Sequence, residues 1–203
     1  MEDLSNITIQ KGKNYYLFFD TETTGVPKNY KAPMSNLKNW PRLVQIAWIA
    51  CDENGNTIES DEYIIKPNGF IIPNDATLIH GITTEKAIQE GKDINDVLTP
   101  FAKLAGDATF LVGHNVSFDM NIVGAEMIRA NMACVVENKK FICTMKSSVD
   151  FCAIPGYYGN KWPKLEELYA KLFRKRIQNA HTALTDIKAT KECFFELKKR
   201  NII

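Results

Sequence analysis

Hydrophobic positions along the chain fall into short unbroken runs and helical repeats, divided by turn residues. The earliest firm run, Tyr15-Tyr16-Leu17-Phe18-Phe19, has the length and the aromatic, apolar character of a buried strand. It stops at Asp20-Thr21-Glu22-Thr23-Thr24-Gly25. Residues 26–41, broken by Pro27, Pro33 and Pro41, fit neither a regular helix nor a central strand and read as a surface excursion. Residues 43–51 and 58–66 read as strands joined through Asp52-Glu53-Asn54-Gly55-Asn56, where Asn-Gly is a hairpin signal, so the first three strands form an antiparallel meander. Residues 73–81 predict a helical turn ending at Gly81. Ile94, Val97, Leu98, Phe101 and Leu104 repeat at helical spacing, with Pro100 set against one unbroken helix. A fourth strand over 109–112, a helix over 118–132 and a fifth strand over 141–144 follow. Two more helices are expected, over 163–173 with Pro163 at the first position and over 183–200 with a basic last turn. Hairpins followed by alternating strand and helix indicate a mixed sheet covered by helices, an α/β layer fold. Residues 1–13 are polar and read as an N-terminal arm, leaving 14–203 as a single domain without repeats or linkers.

Composition narrows the setting. A chain of 203 residues with 45% hydrophobic positions can bury a full core, which excludes disorder and any need for disulfide staples. Cys51, Cys134, Cys143, Cys152 and Cys193 lie far apart without a CxxC pair, as expected of reduced, mostly buried thiols, and they argue against structural zinc. No apolar run approaches the roughly 18 residues of a membrane span. Met1-Glu2-Asp3-Leu4-Ser5-Asn6 lacks the features of a targeting peptide, so a cytoplasmic location without membrane contact is expected. With 25 basic against 24 acidic side chains the chain is not a general polyanion binder, although a local basic groove is compatible with that balance.

The acids are placed unusually. Asp20 and Glu22 end the most buried strand two residues apart, so both point to one face, and two like charges on one face call for a cation. A plain strand-end turn is the alternative. Asp119, in His114-Asn115-Val116-Ser117-Phe118-Asp119, follows the fourth strand and opens a helix, where an acid also serves as a cap. Asp186, in His181-Thr182-Ala183-Leu184-Thr185-Asp186, opens the last helix off the centre of the stripe Leu184, Ile187, Phe194 and Leu197, where a solvated position is the alternative. Three independent coincidences explain the set poorly, because each acid follows a strand or opens a helix where chain ends converge on one sheet edge.

The ordered set Asp20-x-Glu22-Thr23-Thr24-Gly25, His114-Asn115-x-x-Phe118-Asp119 and His181-x-Ala183-x-x-Asp186 resembles the three motifs of the DEDDh 3′-to-5′ exonucleases, the DnaQ-like group that includes the proofreading subunit of bacterial DNA polymerase III. Leu78-Ile79-His80-Gly81-Ile82 resembles that family's HGI segment. The resemblance covers about residues 14–198 and implies a ribonuclease H-like fold, a five-stranded mixed sheet flanked by helices. It implies two divalent cations, Mg²⁺ or Mn²⁺, held by Asp20, Glu22, Asp119 and Asp186, with Asp20 shared by both. His181 is implied as the general base, a task suited to an imidazole. Thr182 stands where the DEDDy branch has tyrosine, which places the chain in the DEDDh branch. Thr23 and His80 are implied contacts of the terminal nucleotide, and Asn115 and Phe118 supports of Asp119.

Hydrolysis of a phosphodiester needs an activated water, relief of charge on the phosphate and support for the leaving 3′ oxygen, and paired divalent ions serve all three. Hard oxygen ligands suit Mg²⁺ better than cysteine or histidine clusters do. The resemblance thus implies metal-dependent removal of nucleoside 5′-monophosphates from single-stranded 3′ ends of DNA or RNA, with DNA expected ahead of RNA. Alternatives are a polymerase-associated proofreading or docking subunit, or a catalytically silent nucleic-acid-binding module on the same fold. The short remainder after His181 favours a stand-alone nuclease. Residues 26–41 are expected to shape the substrate entrance. Lys161, Lys164, Arg174, Lys175 and Arg176 read either as phosphate contacts or as solvated faces, and Phe70, Tyr157, Tyr158 and Trp162 either as core or as base-stacking rings.

Overall fold

The apolar run ending at Phe19 opens β1 (Tyr16–Thr23), which continues through Asp20 and Glu22 and is the middle strand of the sheet. A computed structural model of the chain describes residues 16–178 and 182–203. β1 pairs antiparallel with β2 (Leu43–Cys51), which pairs antiparallel with β3 (Thr57–Ile64). On its other side β1 runs parallel to β4 (Phe110–Gly113), and β4 is parallel to β5 (Phe141–Cys143), giving the order β3-β2-β1-β4-β5. All of β2 is buried, whereas the edge strand β3 is largely exposed and carries the polar residues Glu59, Ser60, Asp61 and Glu62.

Short helices α1 (Asn74–His80) and α2 (Thr84–Glu90) and the longer α3 (Ile94–Asp107) lead from β3 to β4. α4 (Val116–Arg129) joins β4 to β5. After β5 come the helical turns α5 (Thr144–Ser147) and α6 (Val149–Cys152), a two-stranded hairpin of β6 (Pro155–Gly156) and β7 (Gly159–Asn160), then α7 (Leu165–Phe173) and α8 (Ala183–Lys199).

Alternation along β1 decides what each face meets. Phe19 packs edge-on against Phe101 of α3, with ring centroids 5.2 Å apart, and Phe18 against Phe194 of α8 at 5.3 Å. The sheet is thus covered on both sides, with Trp48, opposite Phe19 in register, also on Phe101. Asp20 and Glu22 follow Phe18 at a period of two and so share the α8 side. From Phe18 to Glu22 the strand advances roughly 13 Å, and from Phe194 back to Asp186 the helix retreats roughly 12 Å, so the two acid-bearing ends meet.

The expected elements are present, with shifted ends. The helix expected over 118–132 begins at Val116, because Asn115 adopts a left-handed conformation (φ 72°) and its carbonyl accepts the Phe118 N–H. Pro163 is not the first residue of α7; the Glu167 carboxylate accepts the Lys164 N–H at 2.8 Å and the helix begins at Leu165. Pro100 does not interrupt α3, since Pro100 and Asp96, whose carbonyl it leaves unbonded, both lie on the solvent side. Gly81 takes φ 74° at the end of α1, as its place in the sequence suggests.

Residues 26–41 are more than a surface excursion. Trp40 is buried and its Nε1 donates to the Pro33 carbonyl at 3.0 Å, while Arg129 of α4 donates to the carbonyls of Leu37 and Trp40. Glu126, also on α4, accepts from Arg42, Arg129 and the Leu43 N–H, tying the segment's end to β2. The five cysteines are free thiols, all buried but the half-buried Cys134. Among the described residues no helix is long and apolar enough to cross a membrane. The arm expected over 1–13 lies outside the described residues.

Candidate active site

One carboxylate oxygen from each of Asp20, Glu22 and Asp186 lies within 4.8 Å of the other two. Asp20 and Glu22 come from the end of β1, Asp186 from the first turn of α8. That first turn is built by two acceptors: the Thr182 hydroxyl takes the Thr185 N–H at 3.3 Å, and Glu62 of β3 takes the Leu184 N–H at 3.1 Å. A helix N-terminus favours an anionic side chain, so Asp186 is placed where its charge costs least. His181 lies outside the described residues.

Asp119 is buried and stands on α4 beside this group. Its Oδ1 accepts the Thr21 N–H at 3.1 Å and the Thr21 hydroxyl at 2.7 Å. Burial pushes Asp20, Glu22 and Asp119 toward their neutral forms, and repulsion from neighbouring acids adds to it at Asp20 and Glu22. Asp20 sits well above the ordinary carboxylate range, chiefly through burial, then through Asp119, Glu22 and Asp186. Burial, aided by Asp186 and Asp119, pushes Glu22 up to about 8. Burial raises Asp119 to about 7 against the opposing Thr21 hydrogen bonds. Four carboxylates gathered this closely are a hard-oxygen donor set, and the cation that fits is a hard divalent one such as Mg²⁺ or Mn²⁺.

The remaining sequence candidates surround the acids. Thr23 is buried at a register shift of β1, its hydroxyl donating to the Gly25 carbonyl at 2.6 Å. His80 is buried at the end of α1. Its Nδ1 accepts the Ile82 N–H at 3.1 Å, which places the proton on Nε2, a buried atom that faces the Thr23 backbone and makes no well-formed hydrogen bond among the described residues. Burial lowers the His80 pKa, opposed by the Thr23 backbone. Leu78 and Ile79, next to it on α1, are exposed. Asn115 caps α4 through its backbone, and the Phe118 ring faces Tyr30 of the 26–41 segment at 6.5 Å.

Two participants were not singled out from the sequence. Thr21 lies between Asp20 and Glu22 and holds Asp119; its signal is a hydroxyl residue at the strand position where the parallel partner gives out. His114, noted only as part of a motif, is a strut: Nδ1 meets the Thr144 hydroxyl at 3.0 Å and Nε2 the Pro163 carbonyl at 2.9 Å. Burial holds it down at about 4, against the opposing Pro163 carbonyl, so it stays neutral and links the end of β4 to the segment before α7.

A family model described as RNase_T exonuclease matches residues 17–194. The DNA polymerase III PolC-type proteins of Staphylococcus aureus (strain bovine RF122 / ET3-1) and Staphylococcus epidermidis (strain ATCC 12228 / FDA PCI 1200) are each 26% identical over 182 residues, covering 90% of this chain and 11% of theirs. The chain thus spans about a ninth of the length of these relatives. Among solved structures, E. coli Exonuclease I in complex with a dA16 oligonucleotide superposes with a TM-score of 0.72 at 22% identity, over 93% of this chain and 41% of that one. Exonuclease I from Methylocaldum szegediense gives the same TM-score, identity and coverage. The five-stranded mixed sheet with flanking helices is the ribonuclease H-like fold shared with these neighbours.

Proposed function

The chain belongs to the RNase_T exonuclease family, in its DEDDh, DnaQ-like branch, and on that premise we propose that it removes nucleotides one at a time from 3′ ends of single-stranded DNA, ahead of RNA, by two-metal-ion hydrolysis. The observation that carries this reading is the convergence of Asp20, Glu22 and Asp186 within 4.8 Å. Asp20, Glu22, Asp119 and Asp186 would hold a pair of Mg²⁺ or Mn²⁺ ions. When bound, such ions supply charge relief on the scissile phosphate and ease deprotonation of the attacking water.

The chain's own residues do the rest. The sheet pairing of β1 holds Asp20 and Glu22 on one face, and Thr21 holds the Asp119 carboxylate, which would limit the rearrangement that binding needs. His181 takes the proton from the water as its oxygen bonds to phosphorus. The bond from phosphorus to the 3′ oxygen breaks, that oxygen takes up a proton from solvent, and a nucleoside 5′-monophosphate leaves. The buried Nε2–H of His80, beside the Thr23 backbone, would turn to the terminal nucleotide, which the backbone at Thr23 would border. The 26–41 segment, with exposed Val26 and Tyr30, would form one wall of the entrance. Residues 14–203 would act as one catalytic unit, in the cytoplasm.

The E. coli Exonuclease I neighbour was solved with dA16, which supports a single-stranded DNA substrate here. The match to PolC-type polymerases over 90% of this chain favours a second reading, in which the same activity edits for a DNA polymerase partner. Chromatography of products formed with Mg²⁺, Mn²⁺ or EDTA tests the chemistry. Nucleoside 5′-monophosphates formed only with metal are expected, and 3′-monophosphates or metal-independent products would refute it.

A further inference from the structure

Of the four aromatics that the sequence leaves between core and base-stacking roles, Phe70 lies under the Arg42 guanidinium at 4.3 Å. The other three stand in solvent. Tyr157 and Tyr158 occupy the turn of the β6–β7 hairpin, 92% and 97% exposed, with rings edge-on and centroids 4.6 Å apart; Trp162, just beyond β7, is 63% exposed. Trp48, Phe18 and Phe19 are almost wholly buried, and the other exposed rings, Tyr30 and Phe141, stand singly, so three exposed rings within six residues need a reason.

The hairpin is a built support. Gly159 takes φ 111°, where an L side chain is strained, and a Cβ on Gly156 would meet the Gly159 carbonyl at 2.9 Å. Both glycines are thus required for the tight turn that holds the tyrosines out. At the base, the Lys161 N–H donates to the Ile154 carbonyl at 2.9 Å, and the Lys161 ammonium pairs with Glu167 of α7 at 2.6 Å. The Pro163 carbonyl is bonded to His114, which follows β4 directly and precedes Asp119 by five residues. The hairpin is therefore rooted at the carboxyl end of the parallel strands, the sheet edge that carries the acids. Tyr158 is five residues from Pro163, so at strand rise it reaches no more than about 17 Å from that root.

From this geometry we infer that the β6–β7 hairpin is a stacking platform for the unpaired bases of the strand whose 3′ end enters the acidic site. The inference rests on the proposed function and adds where the rest of the strand lies. Aromatic faces bind any base, but only an unpaired one offers its face, which selects single strands over duplexes. Exposed Lys164 beside Trp162 supplies a cation for the backbone of the same strand.

The test is fluorescence anisotropy with 5′-fluorescein dT20, dT3 and a 20-base-pair duplex, in EDTA to prevent cleavage, on the whole chain and its Tyr157→Ala/Tyr158→Ala and Tyr157→Phe/Tyr158→Phe variants. The alanine pair is expected to cut the preference for dT20 over dT3 by about tenfold, within the range for lost base stacking, and the phenylalanine pair to restore it. Matching melting temperatures confirm folding. An unaltered dT20 preference in the alanine pair, or an equal loss on the duplex, overturns the platform. A parallel digestion of dT20 by the parent chain with Mg²⁺ separates the two readings. Digestion with an unaltered preference leaves catalysis standing and the platform refuted; no digestion with a reduced preference does the reverse.

Discussion

The Asp119 carboxylate takes two hydrogen bonds from Thr21, one from its N–H at 3.1 Å and one from its hydroxyl at 2.7 Å. β4 pairs with β1 only as far as Phe18, so on that side the Thr21 N–H has no strand partner. Asp119 fills the vacancy. A group proposed as a metal ligand thereby also completes the backbone hydrogen bonding of the central strand.

Thr21→Val keeps the shape and the N–H but removes the hydroxyl donor. Hydrogen bonds to charged groups are worth about 1.5–3 kcal/mol, so Asp119 should hold its proton to a pH higher by about one unit. We expect the acidic limb of the pH–rate profile to move up by about that much, with a roughly tenfold loss of kcat/KM at neutral pH. A profile superimposable on that of the parent chain would show that this contact does not tune the site.

Stability should respond to pH in a direction set by the raised carboxyls. Asp20, Glu22 (about 8) and Asp119 (about 7) all bind protons more tightly folded than unfolded. Their contribution is complete below the ordinary carboxylate range, near pH 4, and is lost as pH rises through about 7 to 8. Metal-free protein should therefore melt at progressively lower temperature from pH 5 to pH 8.5, and Mg²⁺ or Mn²⁺ should flatten that decline. Thermal melts in EDTA and in metal check it; a metal-free melting temperature rising over the same interval would contradict it.

Asp20→Asn removes one of the mutually repelling charges without changing volume. Activity should fall by at least about 10²-fold, as when an electrostatic group at a reacting centre is lost. The metal-free melting temperature at pH 8 should stay level or rise. A fall of several degrees would mean that Asp20 supports the fold in a way its neighbours do not reveal.

Glu126 makes the opposite case. It is 1% exposed between Arg42 at 2.7 Å and Arg129 at 2.9 Å. Glu126→Gln leaves two guanidinium groups facing each other, and because Arg42 is partly exposed the cost should fall at the low end of the range for a broken buried pair, about 3 kcal/mol. Urea denaturation measures it. A loss below about 1 kcal/mol would show that solvent already screens the cluster.

Much of this was readable in the chain because it rests on local pattern. Period-two alternation after Phe18 put Asp20 and Glu22 on one face, and turn chemistry fixed the 52–56 hairpin and Gly81. The sequence could not reveal what depends on contacts across the fold. Trp40 and Met34 lie in a proline-broken stretch without periodicity, yet that stretch packs on α4 through Arg129 and Gly124. Pro163 suggests a helix start by type, whereas its carbonyl is drawn to His114, 49 residues away. Thr21 was invisible as a partner because its role follows from where β4 stops pairing. α2 and the β6–β7 hairpin are too short for any periodicity to register.

The most direct test of the central claim is digestion of oligonucleotides labelled at either end, as DNA and as RNA, with Mg²⁺, Mn²⁺ or EDTA. A 5′ label should report a ladder shortening from the 3′ end, and a 3′ label should appear at once as mononucleotide, only with metal and not in Asp20→Asn. Internal cleavage, shortening from the 5′ end, or digestion that persists in EDTA would contradict the account.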